Sequence, residues 1–222
     1  MNRTWEWVLL ILGAAGFAAA TSSSLLEGAA TATGLMSVWL TARQNLWCWP
    51  VSLINVVCFF FLFRDAKLYA DMSLQLLYFV LSIQGWIVWM TGRGAAGVRP
   101  TRRLTGRQAV SAFLLLAALS AGWGHVLARY TDASIPYLDA FIASLSLLGQ
   151  FLLSSKVLEN WLLWITVDVL SVGMYAYKEL YGVALLYAVF LAIAAGGWVQ
   201  WHREYRRQRT APLQVSDAEV GI

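Results

Sequence analysis

The feature that most limits this chain is its density of long apolar runs. Eight follow one another with short polar breaks, over roughly 4–25, 29–44, 47–63, 68–91, 107–128, 136–154, 159–177 and 180–201. A helix that crosses a bilayer needs about 20 apolar residues, so eight consume about 160. In a chain of 222 residues that leaves loops and a tail, and no room for a separate soluble domain. Any function must therefore sit within or between helices. Composition agrees: 59% of residues are hydrophobic and 13% charged, about half the roughly 25% of a soluble domain. The mean hydropathy is +0.62. A disordered chain, a collagen, a disulfide scaffold and an ordinary soluble enzyme are excluded. The expected class is an all-α membrane protein with about eight transmembrane helices.

Charge orients the helices. The net charge is +4, and the basic residues flank apolar spans, which assigns them to membrane orientation and not to nucleic acid. With eight spans, both termini and the basic linker 92–106 fall on one side. That side holds Arg3, Arg43, Arg93, Arg99, Arg102, Arg103, Arg107, Lys156, Arg203, Arg206, Arg207 and Arg209. The other holds only Arg64, Lys67, Arg129 and Lys178. The positive-inside rule then puts both termini in the cytoplasm. A signal peptide is the alternative reading of the first span, but Glu6 interrupts its basic start and the apolar run is long. The tail 202–222 is basic and is expected to be solvated and weakly structured.

The chain also matches itself at an offset of 112 residues. Trp49 meets Trp161, Leu68-Tyr69 meets Leu180-Tyr181, and Gly85-Trp86-x-x-Trp89 meets Gly197-Trp198-x-x-Trp201, without a gap. The copies cover spans two to four and six to eight, with span five between them. They start an even number of spans apart, so both have the same orientation in the membrane. Parallel repeats of this kind are known from sugar-carrying SWEETs, and transporter sites lie near the midplane at the repeat interface. The predicted segments are an additional N-terminal helix (1–28), bundle one (29–91), a basic loop and linker helix (92–130), bundle two (131–201) and the tail (202–222).

Polar groups at membrane depth usually face an interior or a wet cavity. Asn160, Trp164, Asp168 and Tyr175 lie along one stripe of the seventh span, with Trp161 one step around. Asp71, Gln75, Tyr78 and Ser82 form another on the fourth, and the third offers Trp49 and Asn55. Rings of Trp and Tyr suit a flat ligand, a cationic one above all. Asp168 offers a counter-charge, and the amides suit hydroxyl groups. A small, flat, hydroxylated solute follows, with a positive charge favoured.

Each residue also has a plainer reading. Asp71 suits a helix N-terminus, Glu159 and Asn160 suit a cap, and Gln84 lies off the Gln75 stripe. Trp86, Trp89, Trp198 and Trp201 stand near span ends, where an aromatic belt belongs. Asp139 stands near an outer interface. Gly85, Gly196 and Gly197 fit close packing. Cys48 and Cys58 read as small buried hydrophobes, with no disulfide and no metal. No HExxH, GxSxG or Cys–His pattern points to an enzyme, and no cofactor is implied.

Taken together, Gln44-Asn45-Leu46-Trp47-Cys48-Trp49-Pro50, Leu68-Tyr69-Ala70-Asp71-Met72-x-Leu74-Gln75 and Gln84-Gly85-Trp86-x-x-Trp89 resemble the PnuC family of nicotinamide riboside transporters. So does Glu159-Asn160-Trp161-Leu162-Leu163-Trp164 with Asp168 and Leu180-Tyr181. The likeness runs over roughly 34–201. It implies two three-helix bundles joined by one helix in the bacterial inner membrane, a homotrimer, and facilitated diffusion with intracellular phosphorylation trapping the substrate. It also implies binding by Asn160 and Trp164, then Gln75, Trp49, Trp161 and Asp168. Relatives in that family carry thiamine or riboflavin. The cationic ring and ribose of nicotinamide riboside fit the residues better than thiamine, which lacks the ribose, or riboflavin, which is neutral and bulkier.

Overall fold

The computed structural model describes residues 3–65, 69–92, 99–131 and 134–219, with side chains over 11–65, 71–92, 99–131 and 134–210. Lys67, Leu68 and Arg93, used above for charge and repeat, lie outside the described residues. Eight helices stand in the described part: α1 (Arg3–Thr21), α2 (Leu25–Ala42), α3 (Cys48–Asp65), α4 (Tyr69–Met90), α5 (Gly106–Tyr130), α6 (Pro136–Ser154), α7 (Asn160–Tyr177) and α8 (Tyr181–Glu219).

Local chemistry sets several of the boundaries. Ser24 accepts the Glu27 amide, and the Glu27 carboxylate accepts from Ser23 N and Oγ, which fixes the start of α2. Thr105 and Gln108 form a reciprocal capping box on α5, a motif that satisfies two otherwise unpaired amides. Pro136 opens α6, where its missing N–H costs nothing. Glu159 precedes α7 without capping it. Its carboxylate instead accepts from Arg103 Nε at 2.8 Å and Leu104 N at 3.1 Å. The tail differs from expectation, because α8 continues through it to Glu219. An i,i+4 pair, Arg206 donating to His202, supports the first turns past the apolar span, and the helix continues over Pro212.

Five of the eight helices are long and apolar enough to cross a membrane: α3, α4, α5, α6 and α8. The two complete 18-residue helices outside that set, α2 and α7, bring Ser37, Thr41, Asn160 and Asp168 into the interior, which lowers their hydropathy. Helix α5 is the opposite case. It packs on α6 and leaves Phe113, Leu114, Leu115, Trp123 and Val126 exposed, a surface suited to hydrocarbon.

Packing runs α1 to α2, then α2–α3–α4 in sequence, and α5–α6–α7–α8 in sequence, with two cross-contacts, α2 on α8 and α4 on α6. Association in lipid relies on close packing and buried polar groups more than on apolar burial. The buried face of α2 accordingly carries Ala30, Gly34, Ser37 and Thr41, and that of α6 carries Ser144, Gly149 and Ser154.

The geometry recurs at the 112-residue offset. Trp49 lies flat against Gly85, where an added Cβ would stand 2.1 Å from the ring, and Trp161 does the same against Gly197 at 2.6 Å. Trp89 Nε1 donates to Leu153 O at 3.2 Å, and Trp201 Nε1 donates to Thr41 O at 3.1 Å. Gln44 and Lys156 both take left-handed backbone, with φ of 55° and 60°. Trp89 and Trp201 are therefore fully buried and not members of an interfacial belt. Each indole spans the two halves to reach a helix-end carbonyl that also accepts a turn amide, Leu153 O from Lys156 N and Thr41 O from Gln44 N.

Candidate functional site

Helices α2, α3, α4, α6, α7 and α8 enclose a cavity of about 290 Å³. Its wall is largely apolar and aromatic, with Trp49, Phe59, Phe63, Tyr78, Trp161, Trp164, Tyr187 and Phe190. Its polar groups come from Ser37 and Thr41 on α2, Ser52 and Asn55 on α3, Gln75 on α4, Gln150 on α6 and Asp168 on α7. Convergent polar groups in an apolar wall are the usual composition of a small-molecule site, and this volume lies at the small end of the ~300–1,000 Å³ range.

The polar groups differ in what they already hold. Asn55 Nδ2 donates to Ala30 O at 2.6 Å, which ties α3 to α2. Gln150 Nε2 donates to Ser82 Oγ at 3.5 Å, and Ser82 pairs with Ser52 at 3.4 Å, linking α6, α4 and α3. Asp168 is 4% exposed, and its carboxylate makes no hydrogen bond or ion pair to a described residue. A buried carboxylate without a partner is costly, and it either takes up a proton or pairs with a cation. The Nε1 groups of Trp49 and Trp161 are buried without acceptors among the described residues. Trp164 packs its indole edge against Gly149, with Cε2 and Nε1 3.4 Å from where a Cβ would stand.

Of the residues singled out from sequence, Trp49, Asn55, Gln75, Tyr78, Trp161, Trp164 and Asp168 meet at this cavity. Four do not line it. Asn160 is fully buried at the start of α7, with Nδ2 donating to Val157 O at 2.6 Å and Oδ1 without a partner among the described residues. Asp71 is exposed in the first turn of α4. Tyr175 stands behind the wall, stacked on Tyr187 at 5.3 Å. Gln84 is half-buried away from the cavity. Sequence reasoning passed over Gln150, Ser37, Thr41, Ser52, Tyr187 and Phe190. Gln150 carried a usable signal, an amide deep in an apolar run; Ser and Thr in a helix carry almost none, because each can bond its own preceding turn, as Thr41 does to Ser37 O.

Known proteins place this architecture. A nicotinamide riboside transporter PnuC from Escherichia coli (strain K12) is 27% identical over 227 residues, covering 91% of this chain and 93% of that one. The PnuC of Neisseria mucosa is 24% identical, with coverage of 90% and 81%. A riboflavin/roseoflavin transporter, RibM of Streptomyces davaonensis, is 23% identical, with coverage of 83% and 88%. The fold matches a crystal structure of the vitamin B3 transporter PnuC with a TM-score of 0.74 at 23% identity, over 93% of this chain and 94% of that one. Residues 24–203 match the family described as nicotinamide mononucleotide transporter, and by that match across most of its length the chain belongs to this family.

Proposed function

We propose that this protein carries nicotinamide riboside across the bacterial inner membrane by facilitated diffusion, binding it in the cavity between the helix triplets. The observation that carries the reading is the buried, unpaired Asp168 in an aromatic wall. A cationic pyridinium supplies the missing partner and stacks on Trp164, gaining a further ~0.5–2 kcal/mol from the ring quadrupole. Gln75 and Gln150 bond the ribose and carboxamide, and the rings of Trp49 and Trp161 border the solute. Asn160 holds the entry of α7 from behind the wall. Cytoplasmic phosphorylation adds charge that cannot recross the apolar path and so retains the product.

The architecture we propose is eight spans in two like-oriented triplets, α2–α4 and α6–α8, joined by α5, with α1 additional and both termini cytoplasmic. The reciprocal tryptophan bonds and the Gly–Trp pairs at one constant offset support it, as does the basic bias of the loops. The segments 1–28, 29–91, 92–130, 131–201 and 202–222 follow from that arrangement. We extend the reading to a homotrimer, with no enzymatic activity.

RibM supports riboflavin as the second reading, because it is a relative over 83% of this chain and carries a different vitamin. Against it stand the volume of about 290 Å³ and a carboxylate that neutral riboflavin does not pair. No feature favours thiamine over the riboside. Titrating the purified protein calorimetrically with nicotinamide riboside, thiamine and riboflavin tests the assignment. Tightest binding of the riboside, weakened in Asp168→Asn, is expected; a preference for riboflavin or thiamine overturns it.

A further inference from the structure

Lys156 stands outside the cavity and has no role in the binding just described, yet it is the largest charged side chain fully buried in the described part. It lies in the turn between α6 and α7, in left-handed backbone. Its Nζ makes no hydrogen bond to a described residue. The ammonium sits instead over two indole faces, 3.4 Å from the Trp89 ring centre and 4.3 Å from that of Trp201. Those rings continue into the cavity floor. Trp89 meets Trp49 edge-on at 5.2 Å, and Trp201 meets Trp161 edge-on at 5.6 Å. Trp49 and Trp161 both line the cavity. Four indoles and one ammonium thus separate the cavity from the end of the bundle that carries the 99–105 segment and the α8 extension. That segment is bound to the same turn, with Arg102 N donating to Lys156 O and Leu158 N donating to Arg102 O.

We propose that Lys156 and the tryptophans Trp49, Trp89, Trp161 and Trp201 form the gate through which a bound solute leaves toward the cytoplasmic end. The sidedness rests on the orientation proposed above; the gate itself rests on the packing. The floor has no slack, since Trp49 and Trp161 already lie against the Gly85 and Gly197 backbones. A solute can pass only if the rings part. Parting breaks the two indole-to-carbonyl bonds between halves, which holds the gate shut. It also hydrates the ammonium, which pulls the gate open, because cation–π contact recovers only part of what burial removes from a charged amine. The opposed contributions keep the two arrangements close in free energy, as a carrier that must open and close requires. Lys156 acts by positioning the rings and touches no solute in the closed arrangement.

The chain supplies its own probe. It has two cysteines, and Cys48 is buried at the level of the floor and lines the cavity. In a Cys58→Ser background, a membrane-impermeant thiol reagent is applied from the cytoplasmic side to wild-type, Lys156→Met and Trp89→Phe proteins in vesicles. Methionine keeps the bulk and removes the charge, so labelling of Cys48 and riboside efflux both slow about tenfold. Phenylalanine keeps a ring and removes the bond to Leu153, so labelling speeds about tenfold. Riboside affinity changes by less than about threefold in each, which a binding role for Lys156 does not give. Equal labelling in all three proteins overturns the gate. Thiol labelling needs no substrate, so failure of the wild-type protein to bind the riboside removes the substrate assignment and leaves the gate to be judged by labelling alone.

Discussion

Helices α2–α4 and α6–α8 share a frame and differ in what they present to the cavity. The frame is Trp49 with Gly85 and Trp161 with Gly197, plus the crossing indoles Trp89 and Trp201. At the same offset the cavity positions have diverged. Ser52 stands where the second triplet has Trp164, Val56 where it has Asp168, Gln75 where it has Tyr187, and Tyr78 where it has Phe190. Packing tolerates little change once a ring lies on a glycine backbone, whereas a wall residue answers only to what it touches in the cavity. The comparison teaches that the repeat builds the container and its asymmetry selects the contents. One side offers hydroxyls and amides, and the other offers a carboxylate beside an indole. A solute with a cationic flat end and a hydroxylated end matches that polarity.

The comparison breaks most sharply at Asp168. Asp168→Asn keeps the shape and removes the charge, and nicotinamide riboside affinity falls about a hundredfold, near 3 kcal/mol. Calorimetry checks this, and unchanged affinity removes the counter-charge role. The shared frame is tested by Gly85→Ala and Gly197→Ala, each of which forces an indole off its helix. Both destabilise by about 1–3 kcal/mol, read as lowered thermal midpoints in detergent. A loss confined to one glycine contradicts the shared frame.

Trp164→Ala removes stacking and lowers affinity about tenfold, whereas Ser52→Ala at the counterpart position costs about threefold or less. Equal effects at the two positions deny the asymmetry. The smallest expected effect separates Lys156 from its counterpart Gln44. Burial pushes the Lys156 ammonium down to about 7, with Cys48 on α3 and Glu204 on α8 the neighbouring groups that pull it back up. Its ordinary value is 10.5, which hydration in the open gate restores. Below about 7 the proton is held in both arrangements, and the open one is fully favoured. As pH rises through 7 the closed gate sheds its proton first and gains stability, so Cys48 labelling, divided by that of Lys156→Met at the same pH to cancel ionisation of the thiol, falls severalfold between about pH 6.5 and 8. Gln44 cannot titrate. In Lys156→Met labelling is expected to rise with pH as ionisation of the thiol alone dictates, and in wild type to lag behind that rise; slopes that match in the two proteins disconnect Lys156 from the gate.

Much of the fold was legible because bilayer thickness translates directly into run length. The helix bounds 106–130 and 136–154 fall within a few residues of the apolar runs. The lining of the cavity was legible where a residue type is costly in lipid, as for Asp168 and Gln75. It was misleading where two faces of one helix offer the same chemistry. Trp89 and Trp201 fit an interfacial belt by position, and only their rotation into the interior makes them part of the floor. Asn160 and Asp71 carry polar side chains in the right helices but at the wrong turns to line the cavity. Gln150 was overlooked although Ser146, Gln150 and Ser154 follow one another at i,i+4 spacing along α6.

What the amino-acid order determined by itself is the lipid setting, the helix number and the 112-residue correspondence, since each follows from local hydropathy and from identities along the chain. Tertiary structure alone decided which polar groups converge, that Asp168 has no partner among the described residues, and that Lys156 is capped by two indoles. Those facts depend on contacts between residues far apart along the chain, 67 positions for Trp89 with Lys156 and 45 for Trp201 with Lys156. Such contacts arise from how four helix faces are rotated against one another, and hydropathy along a single helix does not encode that rotation.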